Sequence, residues 1–192
     1  MTAEGSASDE ALILRAKRGE AHAFDLLVHS HKGALYRLVR RYVGNADDAY
    51  DILQETWISA WEALARYDTE RPFLAWVRVI ALNKCRDFTR RGRFRRLVQQ
   101  AFFSEPSTAI AAPGTPEQLE HEITSAMQER RLIQLDAAIA ALPAFYKEPL
   151  VLTTAGGLSQ EEAAAILKTT PKAVEMRLRR ARRKLTEAID RG

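Results

Sequence analysis

Residues 157–185, GLSQEEAAAILKTTPKAVEMRLRRARRKL, restrict the fold more than any other stretch of this chain. They spell two short helices separated by a tight turn. Ser159 and Glu162 form a Ser-x-x-Glu capping box, in which each side chain satisfies the other residue's free backbone amide. Ala163 and Ala164 are small enough for a neighbouring helix to come close, and Ile166 and Leu167 face inward. Lys168, Thr169 and Thr170 make the turn. Thr170 caps the next helix, and Pro171 suits its first position, where no amide proton is needed. In that second helix Val174, Leu178, Ala181, Leu185 and Ile189 recur at helical spacing as one apolar stripe. Lys172, Arg177, Arg179, Arg180, Arg182, Arg183 and Lys184 cover the remaining surface. Such a helix fits the major groove, with its N-terminal side chains at base edges and its later arginines at phosphates. A solvated basic helix on a helical core is the plainer alternative. The order of cap, turn and proline favours DNA.

A chain of 192 residues allows one medium domain or two small ones, and its 46% hydrophobic content is ample for a core. The net charge of +4 is mild, but its distribution is uneven. Eight basic residues and one acid, Asp87, lie between Arg78 and Arg96; seven acids lie between Asp47 and Glu70. Separate acidic and basic faces imply more than one partner. The single cysteine, Cys85, excludes an intramolecular disulfide and fits a reducing compartment. A lone cysteine on an apolar-flanked helix is more often core than redox switch. The histidines His22, His29, His31 and His121 do not pair at ligand spacing, so no metal site and no cofactor are expected. No segment is long enough to span a bilayer, and no basic, apolar leader opens the chain; a soluble, cytoplasmic protein is expected.

The patterning is helical nearly throughout, with no convincing strand alternation. Helices are expected over 9–18, 20–43, 47–67 and 72–91, with Gly19 and Gly44-Asn45 as breaks. FFSEPSTAIAAPGTPEQ, residues 102–118, holds three of the seven prolines and reads as a linker. Helices resume near Leu119 and Pro143 interrupts them. The expected fold is all-α: two small helical domains, 1–97 and 131–192, joined by a flexible linker over 98–130.

Two further stretches carry chemistry. In DDAYDILQETWISAWEALARYD, 47–68, Ile52, Trp57, Ala60, Trp61 and Leu64 supply a buried stripe, while Asp48, Asp51, Gln54, Glu55 and Glu62 make an acidic, amide-bearing face. In RPFLAWVRVIALNKCRDFTRRGRFRR, 71–96, Phe73, Trp76, Val77, Ile80 and Ala81 pack ahead of a strongly basic end. Aromatics among arginines suit single-stranded nucleic acid, where bases stack and phosphates meet cations. A solvated face in the first stretch and core aromatics in the second are the bland readings.

Taken together in this order, and with LPAFYKEPLVL ahead of the helix-turn-helix, the three segments resemble the extracytoplasmic-function (group IV) sigma factors of bacterial RNA polymerase. The resemblance covers nearly all of the chain outside the linker. It implies a dissociable, non-enzymatic subunit that gives core polymerase its promoter specificity, use in a stress or environmental response, and an anti-sigma factor as a further partner. It implies core polymerase binding at the coiled coil of the largest subunit by Asp48, Asp51, Ile52, Gln54 and Glu55. Asp51, Gln54 and Glu55 match the family's Asp-x-x-Gln-Glu core. It implies melting and capture of the minus-ten element by Trp76, Asn83, Lys84, Arg86, Arg90 and Arg91, with a base flipped near Asn83. Flipping costs a few kcal/mol, which a pocket and nearby cations must offset. It implies minus-35 contacts by Lys172, Glu175, Met176, Arg177, Arg179, Arg180 and Arg183.

Departures mark where this chain is its own. Tyr50 stands where the family often has an acid, and Val79 where arginine is frequent. Glu175 replaces a residue that is usually basic, and Met176 a small polar one. Glutamate can accept from cytosine N4 and methionine can touch a thymine methyl, so an altered minus-35 preference is expected. A free-standing helix-turn-helix repressor or activator explains 157–185 but leaves 47–96 without a purpose. A helical adaptor with no DNA role is the third reading.

Overall fold

The computed structural model describes residues 3–102 and 134–189, with side chains over 9–92 and 134–189. The described residues form helices and turns with no strand. The first unit comprises α1 (Ala3–Lys17), α2 (Ala21–Val43), α3 (Ala46–Ala63), a 3-10 turn (Leu64–Arg66) and α4 (Phe73–Phe102). The second comprises α5 (134–141), α6 (Ala144–Thr154), α7 (Gln160–Leu167) and α8 (Pro171–Ile189).

In the first unit α2 is the central element, packed against α1, α3 and α4. Its inward row, Phe24, Leu27, Leu35, Leu38, Val39 and Tyr42, is the one its periodicity predicts. Gly44 ends α2 in the left-handed region at φ 82°, where its amide reaches back to the Arg40 carbonyl. Asn45 then starts α3, its side-chain oxygen accepting from the amides of Asp47 and Asp48. The expected single helix over 47–67 is shorter. The α-helix stops at Ala63, and after one 3-10 turn the buried Tyr67 is extended (φ −68°, ψ 131°), its hydroxyl donating to the Arg71 carbonyl. Tertiary burial of Tyr67 outweighs the helical pattern. Trp61, expected in the buried stripe, is 39% exposed and leans on Phe24 with ring centroids 5.0 Å apart.

The fourth helix is longer than expected. It continues to Phe102, so the boundary drawn at residue 97 and the first residues of the proposed linker, 98–102, fall within α4. Between Arg91 and Pro106 only Gly92 disfavours helix, and a single glycine costs about 1 kcal/mol relative to alanine. The rest of the expected linker and the first part of the helical stretch expected from Leu119 lie outside the described residues; its last part is α5, which ends ahead of Pro143 as expected.

The second unit is a small bundle in which α6 and α7 pack on α8. Val174, Leu178, Ala181 and Leu185 of α8 are buried against Leu150, Val151, Leu152, Ala163 and Ala164. Ile189, assigned to the same stripe, is 44% exposed, so the stripe ends at Leu185. Gly156 has a steric reason: a Cβ there would stand 2.4 Å from the Leu152 carbonyl oxygen.

The two units touch. Arg86 of α4 and Glu148 of α6 form a two-pronged ion pair, Nε to Oε1 at 2.6 Å and Nη2 to Oε2 at 2.7 Å. Arg78 donates to the Gly156 carbonyl at 2.8 Å. Arg41 of α2 pairs with Asp136 of α5, whose other oxygen is 3.5 Å from Arg40. Lys147, buried, donates to the carbonyls of Ala140 and Tyr42 and lies over the Tyr42 ring.

Candidate nucleic-acid and polymerase interfaces

On α3 the buried residues Ala49, Ile52, Leu53, Thr56, Trp57 and Ala60 turn one side to the core. Asp51, Gln54, Glu55, Ile58 and Glu62 stand exposed, and Asp48 is half-buried in the first turn. The helix thus presents acids and an amide on its free side, with Asp47 and Asp48 also favoured by the positive end of the helix dipole. Ile52 is 3% exposed and has no surface to offer a partner; its part is to seat α3. Tyr50 is exposed and stacks on Tyr36 of α2 at 4.9 Å between centroids.

Next to it, α4 buries Phe73, Val77, Ala81 and Cys85. Trp76 is half-buried in an aromatic cluster, 4.6 Å from the Tyr67 ring and 5.7 Å from that of Phe73, so it is first a packing residue. Asn83, Arg86, Arg90 and Arg91 are exposed and Lys84 is half-buried. Lys84 bridges to α3, its ammonium 3.6 Å from Glu55. Arg90 pairs with Asp87 at 3.0 Å. The third nitrogen of Arg86 donates to the Asn83 side-chain oxygen at 2.9 Å. Burial at the unit boundary lowers the proton affinity of Arg78, and the Glu148 carboxylate raises that of Arg86. Cys85 is fully buried, which pushes its thiol up to about 12. It is a core residue, not an exposed thiol.

The helix-turn-helix is built as its sequence predicts. Ser159 accepts from the Glu162 amide and the Glu162 carboxylate accepts from the Ser159 amide, closing the capping box. Lys168 ends α7 in the left-handed region at φ 50°, and Thr170 accepts from the Ala173 amide to cap α8. Opposite the buried stripe, Lys172, Met176, Arg179, Arg180 and Arg183 are exposed together. Glu175 lies beside them, 3.2 Å from Lys172. Arg177 is set differently. Its guanidinium sits 4.0 Å over the Phe145 ring and donates to Thr169 at 3.4 Å, on the flank facing α6.

The comparisons with known proteins fall on the same three segments. The model "Sigma-70 region 2" matches residues 27–95 and "Sigma-70, region 4" matches 132–185. The RNA polymerase sigma factor CnrH of Cupriavidus metallidurans is 37% identical over 95% of this chain and 95% of its own length. The chain belongs to the extracytoplasmic-function sigma factors. The ECF RNA polymerase sigma-E factor of Haemophilus influenzae is 30% identical, again over 95% of each chain. Among solved structures, CnrH in complex with the cytosolic domain of CnrY aligns with a TM-score of 0.67 at 33% identity, covering 95% of this chain and 97% of that one. This sigma factor therefore directs RNA polymerase to specific promoters, as a regulator of transcription initiation. Among its described residues no helix is long and apolar enough to cross a membrane.

Sequence reasoning missed Arg78, Asp136, Lys147 and Glu148, which join the two units. No local signal marks them. Arg86 and Glu148 are 62 residues apart, and Arg41 and Asp136 are 95 apart.

Proposed function

We propose that the first unit of this sigma factor, nominally 1–97, docks on the coiled coil of the polymerase's largest subunit and captures the melted minus-ten strand. The second unit, 131–192, reads the minus-35 element, and 98–130 spans the distance between them. Asp51, Gln54 and Glu55, with Asp48, take the polymerase contact. Asn83, Lys84, Arg86, Arg90 and Arg91 serve the minus-ten strand, with Trp76 supporting α4 from its aromatic cluster. Lys172, Glu175, Met176, Arg179, Arg180 and Arg183 face the minus-35 duplex, and Arg177 supports that face from its flank.

One observation carries this reading: α3 exposes an acidic, amide-rich face while α4, packed beside it, exposes Asn83 and a run of arginines. A single unit so divided fits a basic protein surface on one side and nucleic acid on the other. The protein acts in the cytoplasm, without chemistry of its own, in a response to stress or environment. An anti-sigma factor is its regulator, in line with the solved complex of its relative CnrH with the cytosolic domain of CnrY.

The test is binding of the purified chain to core polymerase. Asp51→Ala combined with Gln54→Ala is expected to weaken that binding at least tenfold, on the scale of losing about 1.4 kcal/mol, with the helical content unchanged. Undiminished affinity overturns the docking assignment.

A further inference from the structure

The first helix, α1, belongs to none of the docking, strand-reading or duplex-reading faces proposed above. It reaches the strand reader by two routes. Near its C-terminal end the half-buried Lys17 donates to the Tyr67 carbonyl at 2.8 Å, across 50 residues of sequence. That carbonyl stands where the 3-10 turn gives way to extended backbone. A charged donor there replaces the amide that a continuing helix would supply. From the middle of the helix, the Asp9 carboxylate accepts from His31 Nε2 of α2 at 2.8 Å, with both side chains largely covered. The His31 ring in turn lies 5.7 Å from that of Phe73. Both routes end on one aromatic cluster. Tyr67 meets Phe73 edge-on at 5.7 Å and lies against Trp76 at 4.6 Å. Burial, Asp68 and Asp9 together raise the pKa of the Tyr67 hydroxyl, so Asp9 bears on this ring as well. The same hydroxyl donates to the Arg71 carbonyl and ties the connection between α3 and α4 from within. Trp76 opens the α4 face that continues at Asn83, two turns on.

We propose that α1 is a brace for the minus-ten reader: Lys17 and Asp9 are positioning residues that fix the Tyr67–Phe73–Trp76 cluster, and through it the first turns of α4. Flipping a base out of the stack is already unfavourable, and a reader that must itself become ordered on binding adds to that cost. A cluster fixed in advance removes the second part. Neither Lys17 nor Asp9 touches the strand. The docking face is seated separately, by the Asn45 cap of α3 and by its packing on α2, so loosening the brace leaves polymerase binding intact. This rests on the assignment of α4 to the minus-ten strand.

Lys17→Met and Lys17→Arg test it in the full chain reconstituted with core polymerase. Promoters selected by the parent protein from a randomised library serve as the probe, and permanganate reactivity of unpaired thymines reports melting. Lys17→Met is expected to lower open-complex formation about fivefold, within the range usual for residues acting on a site they do not touch. Affinity for core polymerase stays at the parental value. Lys17→Arg can still donate to the Tyr67 carbonyl and is expected to restore melting. Asp9→Ala loosens the second route; it is expected to lower melting by a smaller factor, and it stands in if Lys17→Met fails to fold. Asn83→Ala, run beside them, reports on α4 itself. Parental melting in Lys17→Met and Asp9→Ala, with melting lost in Asn83→Ala, overturns the proposal. A loss of core affinity equal to the loss of melting makes Lys17 and Asp9 general stabilisers and overturns it as well. Parental melting in Asn83→Ala means that the α4 assignment has failed, and the brace falls with it.

Discussion

Cys85 shows how position decides chemistry. Burial raises its thiol to about 12, well above the ordinary value of 9. Raising the pKa of an acid favours the protonated form, so at pH 8 the native thiol is not a thiolate and is shielded as well. Native protein is expected to leave a thiol reagent such as DTNB unreacted at pH 8, with one equivalent reacting on unfolding; fast native labelling contradicts the core assignment. Ser159 is the opposite case, a local role read from local sequence. Ser159→Ala removes one half of the capping box and is expected to destabilise the second unit by about 1 kcal/mol, measured as a lowered melting temperature. Glu175 is proposed to bear on specificity. Its pair with Lys172 is exposed on both sides and so holds it weakly. Glu175→Lys is expected to shift the preferred bases when selected on randomised minus-35 duplexes, with overall affinity raised by the added positive charge. An unchanged preference removes Glu175 from the readout.

The helices α3, α4 and α8 were legible because each carries its own periodicity, and the starts of α3 and α8 carry their own caps. Asn45, Ser159 and Thr170 accept from amides within three residues of themselves, and Pro171 stands where no amide proton is needed, so sequence neighbours suffice for these ends. The errors came where burial from elsewhere intervened. Tyr67 is pulled into the core and cuts α3 short, and Ile189 lies one turn beyond the reach of α6 and α7. On α8, Arg177 looked like its neighbouring arginines, but the Phe145 ring across from it sets it apart. The element makes a quantitative prediction. Arg179, Arg180 and Arg183, changed one at a time to Gln, are each expected to weaken duplex binding evenly across sequences and to reduce the slope of log K against log salt by about 1. Arg177→Gln is expected to change that slope less.

How the two units meet was not legible at all. The side chains that join them are charged, reach partners 62 to 105 positions away, and are indistinguishable in sequence from solvated surface. What the sequence did carry is the order of the three segments, on which the proposed melting helix follows the proposed docking helix and the proposed duplex reader comes last. On the proposed roles, function follows from all three acting on one promoter: a docking face without the strand reader would give no initiation, and the duplex reader by itself would make a repressor. The most direct measurement is transcription by the reconstituted complex. The purified chain, mixed with core RNA polymerase and a library of randomised promoters, is expected to yield transcripts whose start sites share one minus-35 and one minus-ten motif at fixed spacing. Transcripts no more specific than those from core polymerase alone, with duplex DNA binding intact, would contradict the account and leave a repressor in its place.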